Sequence, residues 1–93
     1  MNRTEFEAQL RTDRYDEIVT VEKPAGYLMA EHHHPFDACA LITAGDFHIT
    51  VNGLETTYHT GDIFRLPAGT PHLERAGAAG ATYLAGRKRV VLP

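Results

Sequence analysis

The chain has 93 residues, 43% hydrophobic and 23% charged, with no tryptophan. That is the make-up of one ordinary globular domain, residues 1–93, and it excludes disorder, a coiled coil and a second core. Nine Lys and Arg against twelve Asp and Glu give a net charge of −3, which leaves no basic surplus for a nucleic acid partner. The longest apolar stretch, Ala38 to Ile42, is far short of a membrane span. Arg3, Glu5, Glu7 and Arg11 interrupt any signal-peptide pattern. The single Cys39 can make neither an internal disulfide nor a four-Cys zinc site. Together these features lead us to expect a cytoplasmic protein without a membrane partner. The unusual count is six His, three of them consecutive at 32–34.

Residues 4–13 read as a short helix. Thr4 and Glu7 have capping-box spacing, and Phe6 and Leu10 stand one turn apart. From Glu17 onward, apolar or alternating runs are separated by turn residues at Pro24-Ala25-Gly26, Gly45-Asp46, Asn52-Gly53, Gly61-Asp62, Pro67-Ala68-Gly69 and Gly77 to Gly80. This punctuation predicts many short antiparallel strands.

The run from Tyr27 to His34 alternates. A regular strand there puts Leu28, Ala30, His32 and His34 on one face, and Tyr27, Met29, Glu31 and His33 on the other. Two imidazoles at i and i+2 have metal-ligand spacing. Further on, Asn52-Gly53 supplies the two φ > 0 positions of a type I′ hairpin turn. That turn pairs Val51 with Leu54, Ile49 with Thr56 and Phe47 with Tyr58 on a core face, leaving His48 and His59 outside. In the strand before Pro67, Phe64 and Leu66 inside put Arg65 outside. Arg87-Lys88-Arg89 followed by Val90-Val91-Leu92 is either a last strand or a basic tail.

Two spacings stand out: Gly26-x5-His32-x-His34 with Gly45 downstream, and Gly61-x5-Pro67-x-Gly69-x2-His72. They resemble the two motifs of the cupin family, G-x5-H-x-H-x3(4)-E-x6-G and G-x5-P-x-G-x2-H-x3-N, over residues 26–76. The resemblance implies an all-β, antiparallel jelly-roll barrel, here with a short N-terminal helix. It implies one divalent transition metal held inside by His32, His34 and His72, and assembly as a homodimer. Two positions depart from the pattern: the acidic ligand position is Ala38, and the closing Asn is Ala76. Glu74, two residues after His72, shares its face if the strand continues past Pro71, and is the candidate to fill the gap or act as a catalytic group.

Imidazole-rich ligation suits Zn, Fe, Ni or Cu better than Mg, Ca or Mn. Three neutral imidazoles leave the metal charge uncompensated, so a small anionic ligand would complete the site. The plainer alternative is a barrel that has lost its metal and keeps hydrogen-bonded histidines. His33, His48 and His59 read as surface residues, Tyr58 and Tyr83 as core or pocket mouth, and Cys39 as packing. Two function classes follow. One is a metal-dependent enzyme of dioxygenase or isomerase type acting on a small organic molecule; the other is a non-catalytic ligand-binding or sensor module.

Overall fold

The computed structural model describes residues 1–90. Its elements are helix α1 (Arg3–Thr12) and strands β1 (Glu17–Lys23), β2 (Leu28–His32), β3 (Phe36–Val51), β4 (Leu54–Tyr58), β5 (Ile63–Leu66) and β6 (His72–Arg89). All pairings are antiparallel. No helix among the described residues is long and apolar enough to cross a membrane.

The turn residues suggest many short strands, but β3 and β6 are long. β3 runs 16 residues through Gly45-Asp46, and β6 runs 18 residues through Gly77 to Gly80. Those glycines make corners within strands instead of ending them. Along β3 and β6 the register slips between Ile42 and Ala44 and again between Gly45 and Phe47. Each long strand therefore serves two sheets. The first half of β3 and the second half of β6 pair with β5 and β1, while their other halves pair with β4 and β2. Two four-stranded sheets face one another, the jelly-roll arrangement.

The corner depends on residues without a Cβ. Gly45 has φ +74°, and a methyl there would run into the Gly80 carbonyl; one on Gly80 would lie 2.6 Å from the Lys23 carbonyl oxygen. The slip also exchanges which parity faces in. Ala38, Ala40 and Ile42 point inward before the corner of β3, whereas Phe47 and Ile49 do so after it. These residues meet Phe64, Leu66, Ala76, Ala81, Tyr83 and Ala85 in the main core.

The hairpin forms as the Asn-Gly turn dictates. Asn52 and Gly53 have φ 51° and 78°, and the register matches Phe47 with Tyr58, Ile49 with Thr56 and Val51 with Leu54. Its last pair is not core, because Leu54 is 76% exposed. Arg65 is exposed between buried Phe64 and Leu66, as alternation requires. Arg87, Lys88 and Arg89 end β6 and are no loose tail; Val91 and Leu92 lie outside the described residues.

The helix starts earlier than the Thr4–Glu7 spacing suggests. Asn2 is the N-cap, and its side-chain oxygen accepts from the Glu5 N–H at 2.8 Å. The same i, i+3 pattern thus operates two residues upstream. Phe6 and Leu10 bury against Cys39, Leu41 and Leu84 on the outer face of the first sheet. Gly86 makes room there, since a Cβ would lie 2.6 Å from a Leu10 methyl. Cys39 is packing in this second cluster, and burial pushes its thiol pKa up, away from reactivity.

Outside the core, His59 pairs with Asp46, Nδ1 to Oδ1, at 2.8 Å. That hydrogen bond and the Asp46 charge raise the His59 pKa. The pair therefore favours the folded state below the ordinary histidine pKa and ceases to do so as pH rises through the raised value. Asp46→Asn is expected to return the His59 titration, followed by NMR, toward 6.5. An unchanged midpoint contradicts the pairing. Core packing has its own test. Leu10→Ala should cost about 2–5 kcal/mol in urea unfolding, and Gly45→Ala should cost at least about 1–3 kcal/mol through backbone strain. A Gly45→Ala protein as stable as wild type would contradict the corner geometry.

Candidate metal centre

The site is built where β2 leaves its regular register. Leu28 pairs with Arg75 and Met29 with Glu74, but His32 pairs with His72. Three steps along β2 thus match two along β6, a bulge of one residue. The bulge corrects the facing expected for a regular strand. Tyr27 and Met29 line the inner cavity together with His32 and His34, while Leu28 is 73% exposed. His33 is exposed, as expected.

His72 comes to the same place from the other motif. Pro67-Ala68-Gly69-Thr70 is a tight turn, with Thr70 N–H donating to the Pro67 carbonyl at 3.2 Å and Gly69 at φ +78°. The Gly69 N–H donates to the His34 carbonyl at 2.9 Å, tying the two motifs together through the backbone. Asp37 faces away from the cavity, and its carboxylate accepts from the Ala68 N–H at 2.8 Å. The acid beside the expected ligand position thus holds the turn in place.

Hydrogen bonds set the imidazole tautomers. His32 Nδ1 lies 2.8 Å from the Ala30 carbonyl oxygen and His72 Nδ1 lies 2.9 Å from that of Thr70. A carbonyl only accepts, so each Nδ1 carries the proton and each Nε2 of a neutral ring presents a bare lone pair. Both Nε2 atoms stand 3.4 Å from Glu74 Oε1. His72 is 1% exposed, and its Nε2 has no hydrogen-bond partner among the described residues. Two lone pairs and a carboxylate converging in an apolar interior repel one another unless a cation lies between them.

A metal fits that gap. Donors about 2.0–2.1 Å from a tetrahedral ion stand roughly 3.3–3.4 Å apart, which is the Nε2–Oε1 separation here. His34 joins the group, and one donor atom from each of His32, His34, His72 and Glu74 lies within 4.8 Å of the others. The His34 pKa is lowered, mainly by burial and then because a proton on this ring would meet any proton taken up by His32 or His72; the Glu74 carboxylate opposes that shift and Arg87 adds to it. The lowered pKa favours the neutral ring, whose lone pair can bind a cation. Glu74 on β6, 8% exposed, brings a carboxylate to the three imidazoles, while Ala38 stands at the expected acidic position. His48 and His59 are not part of the group. His48 Nδ1 is engaged with the Thr57 hydroxyl at 2.9 Å on the outer face.

Above the cluster lies a cavity of about 130 Å³ with apolar walls from Val21, Ala38, Phe64, Leu66 and Ala85. Tyr27 and Tyr83 also line it. Burial and then the Glu74 charge raise both phenol pKa values, so both remain protonated donors. Lys23 and Arg87 complete the lining. Sequence reasoning missed Tyr27, Met29, Lys23 and Arg87. For Arg87 the signal was present in its parity with Tyr83 and Ala85; for Tyr27 and Met29 the bulge concealed it.

Two facing antiparallel sheets with a His/Glu cluster inside define a jelly-roll barrel with a site that can hold a metal. A cupin domain model matches residues 18–84, and the chain belongs to the cupin family. No curated protein matches the chain in sequence. Among solved structures, a protein of unknown function from Rhizobium leguminosarum bv. viciae 3841 is 18% identical with TM-score 0.74, covering 78% of this chain and 69% of that one. KdgF from Halomonas sp. is 21% identical with TM-score 0.69, covering 80% and 68%. The DMSP lyase DddQ from Ruegeria pomeroyi DSS-3 is 28% identical with TM-score 0.69, over 81% of this chain but only 38% of its own. The first two likenesses carry the fold alone.

The cluster geometry generates a direct comparison. His32→Ala and His72→Ala should each weaken Zn²⁺ binding by at least about tenfold, whereas His33→Ala and His48→Ala should leave it within about twofold. Calorimetric titration of the four variants decides. Equal losses in His33→Ala and His32→Ala would place the wrong face of β2 inside.

Proposed function

We propose that this chain is a metal-dependent cupin that binds Zn, Fe, Ni or Cu through His32, His34, His72 and Glu74 and holds a small anionic organic molecule beside the metal. The observation that carries the reading is the buried, unpartnered Nε2 of His72 facing the Glu74 carboxylate. Three neutral imidazoles and one carboxylate leave one unit of positive charge on a divalent ion, and Arg87 and Lys23 add theirs around the cavity. An anion is the complement of that field.

When bound, the metal supplies Lewis acidity at one end of the cavity. The residues of the chain do the rest. His32 and His72 are oriented by the carbonyls of Ala30 and Thr70. The apolar walls exclude water, and the protonated phenols of Tyr27 and Tyr83 offer hydrogen bonds to charge that develops on a bound molecule. This set favours isomerase-like or lyase-like chemistry over a dioxygenase reading that rested on three histidines alone. The 28% likeness to a DMSP lyase supports the same direction.

We also read the protein as a homodimer. β1, β2, β4 and β5 each pair with one neighbour among the described residues, so each leaves an edge, and edges of this kind are commonly covered.

Metal content tests the proposal. Protein purified without a nickel-affinity step should carry close to one equivalent of transition metal by elemental analysis. Glu74→Ala should lower metal affinity by at least about tenfold, and adding Ala38→Glu should recover some of the loss, because Ala38 lines the same cavity. Metal-free protein that takes up no Zn, Fe, Ni or Cu refutes the reading.

A further inference from the structure

We propose that Arg87 is the carboxylate anchor of this cavity and that Glu17 is a counter-ion it releases when the ligand arrives. The inference rests on the reading that the cavity holds an anion, and it names both the class of ligand and the residue that selects it.

Arg87 stands at a partition. With Phe36 it lines the cavity of the His/Glu cluster, and the same two residues line a second cavity of about 90 Å³ bounded by Asp16, Glu17 and Arg89. On the outer side Arg87 Nη1 donates to Glu17 Oε1 at 3.2 Å, and the two are direct partners in the β1–β6 register. On the inner side the guanidinium lies 5.2 Å from the Phe36 ring centroid, and Phe36 stacks on His34 at 4.9 Å with 17° between planes. Two ring contacts are all that separate the charge from the cluster.

The outer contact is of a kind easily exchanged. Side-chain exposures of 37% for Arg87 and 51% for Glu17 describe a solvated ion pair, which is weak. A single Nη1 bond holds Arg87 to Glu17 on the outer side, whereas a carboxylate in the inner cavity engages two guanidinium donors at once when the guanidinium turns inward, which breaks the Glu17 bond. Asp16 accepts from the Arg89 backbone N–H at 2.8 Å and makes no ion pair with Arg87 among the described residues. Lys23 is held over the Tyr27 ring at 4.4 Å, and an ammonium lacks the planar fork that recognises a carboxylate in two places. An incoming carboxylate therefore replaces Glu17 on Arg87.

Size narrows the ligand. A cavity of about 130 Å³ is close to one that holds a benzene ring, so the ligand has about six to eight non-hydrogen atoms. Its carboxylate sits on Arg87, its short apolar chain runs along Ala38 and Ala85, and a second oxygen, nitrogen or sulfur donor reaches the cluster. Short hydroxy or oxo monocarboxylates have this form.

3-Hydroxybutyrate and its methyl ester serve as probes, titrated calorimetrically into wild type, Arg87→Gln, Arg87→Lys and Glu17→Gln, each with and without Zn²⁺. Wild type should bind the acid and prefer it to the ester. Arg87→Gln should weaken acid binding by at least about tenfold and remove the preference. Arg87→Lys, which keeps the charge and the aliphatic stem, should fall between. Glu17→Gln should tighten acid binding about twofold to fivefold, with Zn²⁺ stoichiometry unchanged in every variant. Acid affinity independent of Arg87, or no acid binding by wild type in either state, overturns the anchor. Arg87-dependent binding that Glu17→Gln leaves unaltered overturns the counter-ion. Arg87-dependent binding in a protein that takes up no Zn²⁺ upholds the anchor while refuting the metal reading.

Discussion

The structure is organised around a contact that repels itself. Two imidazole Nε2 lone pairs, on His32 and His72, stand 3.4 Å from one carboxylate oxygen of Glu74. Their Nδ1 protons are already committed to backbone carbonyls, so neither ring can relieve the conflict by changing tautomer without losing a hydrogen bond. Water could relieve it at an exposed site, but His72 is 1% exposed. Leaving such a group unsatisfied costs about 1–3 kcal/mol or more. A divalent cation converts the repulsion into attraction. The His/Glu cluster is one that could hold such an ion.

Irregularities in the strands create that contact. Regular alternation would bring Leu28 and Ala30 inward with His32 and His34; the single-residue bulge after Met29 instead puts Tyr27, Met29, His32 and His34 along one cavity. At the other end, the slips near Gly45 exchange the inward parity of β3, so that Ala38 and Phe47 both face the core. The two long strands can bend there because Gly45 and Gly80 have no side chains to collide. Helix α1 then covers the outer face of one sheet through Phe6 and Leu10, which leaves the inner face to the site. Backbone shape, packing and chemistry are joined through a few bulges and glycines.

Much of this was legible in the residues. The Asn52-Gly53 turn fixed the register of its hairpin down to the pair Phe47–Tyr58. The two His/Gly/Pro spacings pointed to the family and to the three histidines that meet. Glu74 could be nominated from its parity with His72. Other features were hidden for physical reasons. Gly45-Asp46 and Gly77 to Gly80 carry ordinary turn chemistry, and only tertiary pairing makes them corners within long strands. A bulge leaves no signature in alternation, so alternation alone places Tyr27 and Met29 on the outer face. Asn2 and Thr4 are both competent caps with an acid three residues on, and the helix took the earlier one. The role of Arg87 depends on the partition it forms with Phe36, which joins residues far apart along the chain.

The most direct test of the central claim is the state of each imidazole nitrogen, read by ¹⁵N NMR of histidine-labelled protein before and after one equivalent of Zn²⁺. The account predicts that His32 and His72 carry the proton on Nδ1 in both states. It also predicts that the Nε2 resonances of these two rings, together with one nitrogen of His34, move to metal-bound shifts while His33 does not change. Protonated Nε2 on His72, or zinc-dependent shifts at His33 in place of His32, would contradict it.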